Sequence, residues 1–206
     1  MAPPRKHDTD TILDAARALV LAEGPRAASV AAIAQRSGAP VGTLYHRFGN
    51  RDGVLAAAWL RALERFQVRA LEAYTGRSGD PVDAAVAMAG AALSFAVEQP
   101  GDVRLLLAVR RSDLLDGLEH EGVHQKLSAL NEPLEAAIRG LARELHGRAD
   151  ARAVENVTRA VVDLPMAALR RNLSEDRPLA GWLAQDLEAA VRTLLAGSAS
   201  GRAHRS

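Results

Sequence analysis

The chain has 206 residues, 48% hydrophobic and 25% charged, which is enough apolar content to bury a core in one domain or two small ones. The 26 Lys and Arg nearly cancel the 25 Asp and Glu, leaving a net charge of +1, so any surface for a polyanion has to be local. The absence of cysteine excludes disulfides, thiolate metal sites and cysteine nucleophiles, and it agrees with a reducing cytoplasm.

No signal-peptide stretch follows Met1, and no unbroken apolar run approaches the ~18 residues that span a bilayer, so a cytoplasmic protein without a membrane segment is expected. Aromatic residues are 3% of the chain and alanine is abundant, a mixture that suits close-packed helices and not sheets. The expected fold class is all-α.

In chain order, Ile12, Ala16, Leu19 and Val20 share a helical face over Thr9 to Glu23, and Gly24-Pro25 ends that first helix. Ser29 is placed to cap a short second helix carrying Val30, Ile33 and Ala34, which Gly38 closes. A third short helix can start at Pro40, with Leu44 and Phe48 turned inward at i and i+4. Asn50 caps a long fourth helix striped with Leu55, Trp59, Ala62 and Phe66. Two short helices joined by a tight turn containing glycine make a helix-turn-helix unit.

The turn-rich stretch Gly76 to Pro81 reads as a joint. Beyond it, helical spacing predicts helices over Val82 to Glu98, Val103 to about Leu118, about His120 to His146 (with Pro133 inside), Ala151 to Leu173 and Leu179 to Ala196. The expected organisation is a helix-turn-helix domain over 1–53, a second helical domain over 54–198 and a tail over 199–206. The first 75 residues hold ten basic and seven acidic residues against sixteen and eighteen in the rest, so the positive surface lies in front.

The segment Ser29 to Asp52, with Ile33-Ala34, Gly38, Gly42, Leu44-Tyr45 and Phe48 at fixed spacing between a first helix and a long fourth, resembles the DNA-binding signature of TetR/AcrR-type transcriptional repressors. An α-helix fits the major groove, and residues on its N-terminal part reach base edges. With Leu44 and Phe48 inward, the third helix offers Val41, Gly42, Thr43, Tyr45 and His46. Thr43 can hydrogen-bond a base or touch a thymine methyl, Val41 supplies apolar contact and Gly42 permits close approach.

Tyr45, Arg47 and Arg51 carry donors suited to phosphates, and Gln35 and Arg36 are the polar contributors of helix two. The DNA-binding set is therefore Ser29, Gln35, Arg36, Pro40, Val41, Gly42, Thr43, Tyr45, His46, Arg47 and Arg51, with Arg5-Lys6-His7 as a basic arm. The chain departs from the family pattern in having Pro40 where serine is common, Arg51 where lysine is usual, and His46-Arg47 in place of an aromatic-His pairing.

The resemblance implies a homodimeric repressor on double-stranded DNA, released by a small-molecule effector bound in the second domain. Candidate effector contacts by residue type and location are Trp59, Phe66, Met88, Phe95, Leu106, Asn131 and Met166, against ordinary core packing as the alternative for each. The expected dimer seam uses the last two helices through Leu183, Leu187, Ala190, Val191 and Leu194. No cofactor is called for.

One rival pattern stands outside this reading. His120-Glu121-Gly122-Val123-His124 satisfies HExxH, in which two histidines at i and i+4 ligate zinc and the glutamate is a general base, so a metalloenzyme or metal sensor is the alternative function. Gly122 weakens the helix that this pattern needs, and no phosphate loop or nucleophile elbow accompanies it. A solvated helix start is the bland reading of the same five residues. A purely structural protein, which would bind no DNA, is the third class.

Overall fold

The computed structural model describes residues 8–77, 79–109, 121–174 and 177–197, and these are helical with no strand among them. The basic arm Arg5-Lys6-His7, residues 110–118 of one predicted helix, His120 and the tail over 199–206 lie outside the described residues.

Helix α1 spans Thr9–Glu23, α2 Val30–Ser37, α3 Val41–Phe48, α4 Arg51–Thr75, α5 Pro81–Glu98 and α6 Pro100–Ala108. Helix α7 spans Glu121–His146, α8 Ala151–Thr158, α9 Leu164–Ser174 and α10 Leu183–Gly197. Side-chain caps fix several starts: Asp8, Ser29, Asp80 and Asp150 each accept from a backbone N–H in the first turn of α1, α2, α5 and α8.

The chain divides into two compact units, the first drawn from Met1–Glu64 with Gly101–Leu127 and the second from Arg65–Pro100 with Ser128–Ser206. Neither is contiguous in sequence. In the first unit Ile12, Ala16 and Leu19 of α1, Ile33 of α2, Leu44 of α3 and Val54, Leu55 and Ala62 of α4 form one core, completed by Leu105, Val109 and Leu127. Each Ile, Leu or Val side chain of this core contributes about 1.5–3 kcal/mol by leaving water, which ties the short α2 and α3 to the longer helices.

In the second unit α5 is the apolar centre, with Ala84, Ala85, Met88, Ala92 and Phe95 buried beside Val157, Val161, Leu169, Leu187 and Val191. Its many alanines have little side chain to hold neighbours apart. On the unit's surface Arg192 of α10 sits between Asp83 of α5 and Glu188, and its pKa is raised, chiefly by its hydrogen bond to Asp83 and then by that to Glu188.

Three features of the fold bear on the expectations. First, Pro81–Glu98 is by length and composition alone long and apolar enough to cross a membrane, with a mean hydropathy of 1.3, and half of it is buried inside the protein as in a core helix. A search for an unbroken apolar run passed over it because Asp83 and Ser94 interrupt the pattern. Second, the helix expected over Ala151 to Leu173 contains a π-helical turn at Arg159–Asp163. There the Leu164 N–H donates to the Arg159 carbonyl five residues back, and Pro165, next in line, has no N–H to continue the normal ladder.

Third, the last helix begins at Leu183 and not at Leu179, since Gly181 and Trp182 form a turn after the irregular 177–180 stretch. A smaller shift of the same kind affects α3. Pro40 caps it at φ −59° and ψ 139° from just outside the helix and offers no side-chain hydrogen bond.

Candidate nucleic-acid interface

Helix α2 ends at Gly38, whose φ of +70° is left-handed, a conformation that glycine adopts at no steric cost and a side chain resists. Ala39 is buried at the turn and Pro40 leads directly into α3. Leu44 is fully buried and Phe48 is packed against the same core, so the inward face of α3 is fixed at i and i+4 as the sequence spacing predicts.

At the far end of α3, Gly53 in the first turn of α4 approaches the Phe48 carbonyl so closely that a Cβ there would lie 1.9 Å from its oxygen. That contact and the Asn50 Oδ1 accepting from the Gly53 N–H at 2.8 Å fix the angle at which α3 leaves for α4. Sequence reasoning identified the cap but not the close approach.

The outward face carries most of the expected residues. Val41 is 42% and Tyr45 53% exposed, and Gly42, His46 and Arg47 are exposed beside them. Thr43 is half-buried. Gln35, Arg36 and Pro40 are exposed, while Ser29 spends its hydroxyl on the Ala32 N–H at 3.1 Å. Arg47 donates to Thr9 Oγ1 at 3.2 Å, linking the recognition face to the start of α1.

Arg51 has a different setting from the one its sequence position suggests. Its Nε donates to the Ala28 carbonyl at 3.1 Å, one terminal nitrogen to the Pro25 carbonyl, and the other to Asp52 at 2.5 Å. The guanidinium therefore fastens the α1–α2 connection to α4, and its charge is shared with a carboxylate. Nothing in local sequence marks the two backbone carbonyls, which lie 26 and 23 residues upstream.

The seven effector candidates are not brought into one unit. Trp59 and Leu106 belong to the first, and Phe66, Met88, Phe95, Asn131 and Met166 to the second. Within the second, the Phe66 and Phe95 rings lie 5.7 Å apart in a tilted pair. Beside Phe66 in sequence, Gln67 is only 3% exposed and donates from Nε2 to Asn131 Oδ1 at 2.7 Å, while its own Oε1 has no partner. Gln67 escaped sequence reasoning because a polar residue within a helical stripe looks solvent-facing. A groove of about 440 Å³ between α4 and α5, lined by Arg69, Arg77, Gly90 and Ser94 among others, touches none of the seven.

Of the seam candidates, Leu187 and Val191 are buried within the chain's own core, whereas Leu183, Ala190 and Leu194 are half-buried. Trp182, which the sequence reading passed over, is 63% exposed just before α10. For the HExxH pattern, His120 lies outside the described residues and His124 is exposed near the start of α7. Among the described residues no three His, Asp or Glu come together as a metal site.

Residues 12–58 match the family described as bacterial regulatory proteins, tetR family. The N-terminal part of the chain is a tetR-family helix-turn-helix domain. Its matched span covers the inward and outward faces of α3 and the turn that sets them. The tetR fold extends beyond that span: a protein of Pseudomonas aeruginosa described as a transcriptional regulator superposes with a TM-score of 0.75 at 20% identity, covering 96% of this chain and 92% of that one.

The tetR-family regulator PfmR of Thermus thermophilus gives 0.65 at 21% identity, covering 90% and 97%. The regulator FadR of Bacillus subtilis, solved in complex with stearoyl-CoA, gives 0.67 at 16% identity, covering 94% and 99%. No curated protein matches the chain. The family match thus covers the helix-turn-helix segment, and the solved structures, at 16–21% identity, share the helical fold of the rest of the chain.

Proposed function

We propose that the protein is a homodimeric repressor that binds a palindromic operator through two copies of α3 and leaves it when a small molecule binds the second unit. The observation that carries this reading is the division of α3 itself, with Leu44 locked in the core and Val41, Gly42, Tyr45 and His46 open to solvent on one N-terminal face. A single eight-residue helix reads too few bases for specificity, and two copies about 34 Å apart read a palindrome. Binding takes place in the cytoplasm, where the DNA lies.

Base contacts are assigned to Val41, Gly42 and Thr43, and phosphate contacts to Tyr45, His46, Arg47, Gln35 and Arg36. Ser29, Pro40 and Arg51 serve this surface by holding the helices that present it. The dimer forms through α8, α9 and α10, with exposed Trp182 as an aromatic anchor beside Leu183, Ala190 and Leu194.

The effector site is assigned to the second unit near the Phe66–Phe95 pair. There the partnerless Gln67 Oε1 favours an apolar molecule carrying a hydrogen-bond donor. The FadR complex with an acyl-CoA shows that a protein of this fold accepts a ligand with a long apolar chain.

The test is selection of bound duplexes from a random pool at fixed, near-physiological salt, followed by sedimentation of the complex. The reading expects a palindrome bound by two chains, with affinity falling steeply as salt rises because phosphate contacts release counterions. A folded protein that recovers no common sequence would overturn it.

A further inference from the structure

The chain passes between the two units at three places, after Glu64, after Pro100 and after Leu127. Two residues beyond the second crossing, Asp102 of α6 is 1% exposed and forms an ion pair with Arg17 of α1, a residue 85 positions away in sequence. Gly101 makes room for this pair, since a Cβ there would lie 3.3 Å from Arg17 Nε.

Arg17 also pairs with Asp14 at 3.2 Å, and Arg61 of α4 reaches Asp14 at 2.5 Å and Asp10 at 2.6 Å. Alternating charges thus run from α6 through α1 to α4. A surface ion pair holds little, but a carboxylate removed from water, as that of Asp102 is, is held firmly to its partner because its charge has lost the solvent.

Helix α1 has a second attachment. Thr9 in its first turn accepts from Arg47 of the recognition helix. Thr9 and Arg17 are eight residues apart on one continuous helix, about 12 Å at 1.5 Å per residue. The grip on α6 and the grip on α3 therefore belong to one rigid rod.

We propose that Arg17 and Asp102 are positioning residues for DNA binding. Their buried ion pair fixes α1 to the chain where it enters the first unit, and α1 sets the recognition helix through the Thr9–Arg47 hydrogen bond. The effect on operator affinity rests on the proposed DNA-binding function, while the effect on α3 itself does not.

Two measurements separate a relay from a local prop. In hydrogen exchange on the full chain without DNA, Asp102→Asn raises the exchange of the α3 amides from Leu44 to Phe48 more than that of the α2 amides. The same rise appears with Thr9→Val. On the selected operator, Asp102→Asn and Thr9→Val each weaken binding, and the double variant is at least threefold tighter than the product of the single effects predicts, because both break one chain of contacts.

Exchange confined to α1 and α6, or single effects that simply multiply, would overturn the proposal even if the operator is confirmed. A protein that selects no operator leaves the exchange result standing as its own test. Should Asp102→Asn fail to fold, Arg17→Lys keeps the charge, gives up the planar fork and takes its place in both comparisons.

Discussion

Gly53→Ala opposes two physical effects whose signs differ. By intrinsic preference, alanine for glycine in a helix gains about 0.8–1.0 kcal/mol. In this chain the new Cβ would sit 1.9 Å from the Phe48 carbonyl oxygen and 3.0 Å from its carbon. To reach even the ~3.3 Å of a close C–H···O contact, the end of α3 and the start of α4 must separate by roughly 1.4 Å. Both are anchored, α3 by Leu44 and α4 by Val54 and Leu55 in one core.

Forcing atoms into a packed site costs about 1–3 kcal/mol, and a backbone contact of 1.9 Å belongs to the upper part of that range, about 2–3 kcal/mol, so a net loss of about 1–2 kcal/mol is expected once the helix gain is subtracted. At ~2–4 °C per kcal/mol for a chain of this size, the melting temperature falls by about 2–8 °C. Calorimetry of the wild type and variant, with titration on the selected operator, measures both consequences. Operator affinity drops too, because the displaced segment is the end of the recognition helix. An unchanged or raised melting temperature would refute the close-approach argument.

The adjacent residues Leu44 and Tyr45 should behave oppositely. Leu44→Ala empties a fully buried site and costs about 2–5 kcal/mol in denaturant unfolding, whereas Tyr45→Ala, at 53% exposure, changes stability by less than about 0.5 kcal/mol and weakens DNA binding at fixed salt. Equal stability losses in the two variants would contradict the assigned faces. Gln67→Met removes a buried acceptor without a partner but also the hydrogen bond to Asn131, two effects of about 1 kcal/mol and opposite sign, so the melting temperature of the effector-free protein should move by less than about 4 °C; a larger fall would show that the Gln67 carbonyl is satisfied in solution.

The helix-turn-helix segment was legible in sequence because its determinants are local. Ser29 caps its own first turn, Gly38 takes the left-handed turn and Leu44 and Phe48 recur at helical spacing. The start of α3 shifted by one residue because proline's fixed φ suits both the cap and the first helical position.

Less local features were hidden. The π turn reflects Pro165 acting on a carbonyl already engaged in a helical pattern, and the late start of α10 reflects Gly181 interrupting residues whose apolar spacing continues through it. Arg51 reads in sequence as a phosphate donor because its carbonyl partners, Pro25 and Ala28, are backbone atoms that any sequence supplies. Gln67 with Asn131, and Arg17 with Asp102, are pairs 64 and 85 residues apart, and only the packing of helices brings them together.

The central claim is that α3 reads base sequence, and Thr43 is the residue that tests it with least disturbance, being half-buried and short. Wild type and Thr43→Ala are taken side by side through selection from one random pool at one salt concentration. The account predicts two palindromes that agree in spacing and differ at one symmetric base-pair position, with about 1–3 kcal/mol of discrimination lost there. Identical palindromes, with the same preference at every position, would remove Thr43 from the base-reading face and contradict the way α3 is placed in the groove.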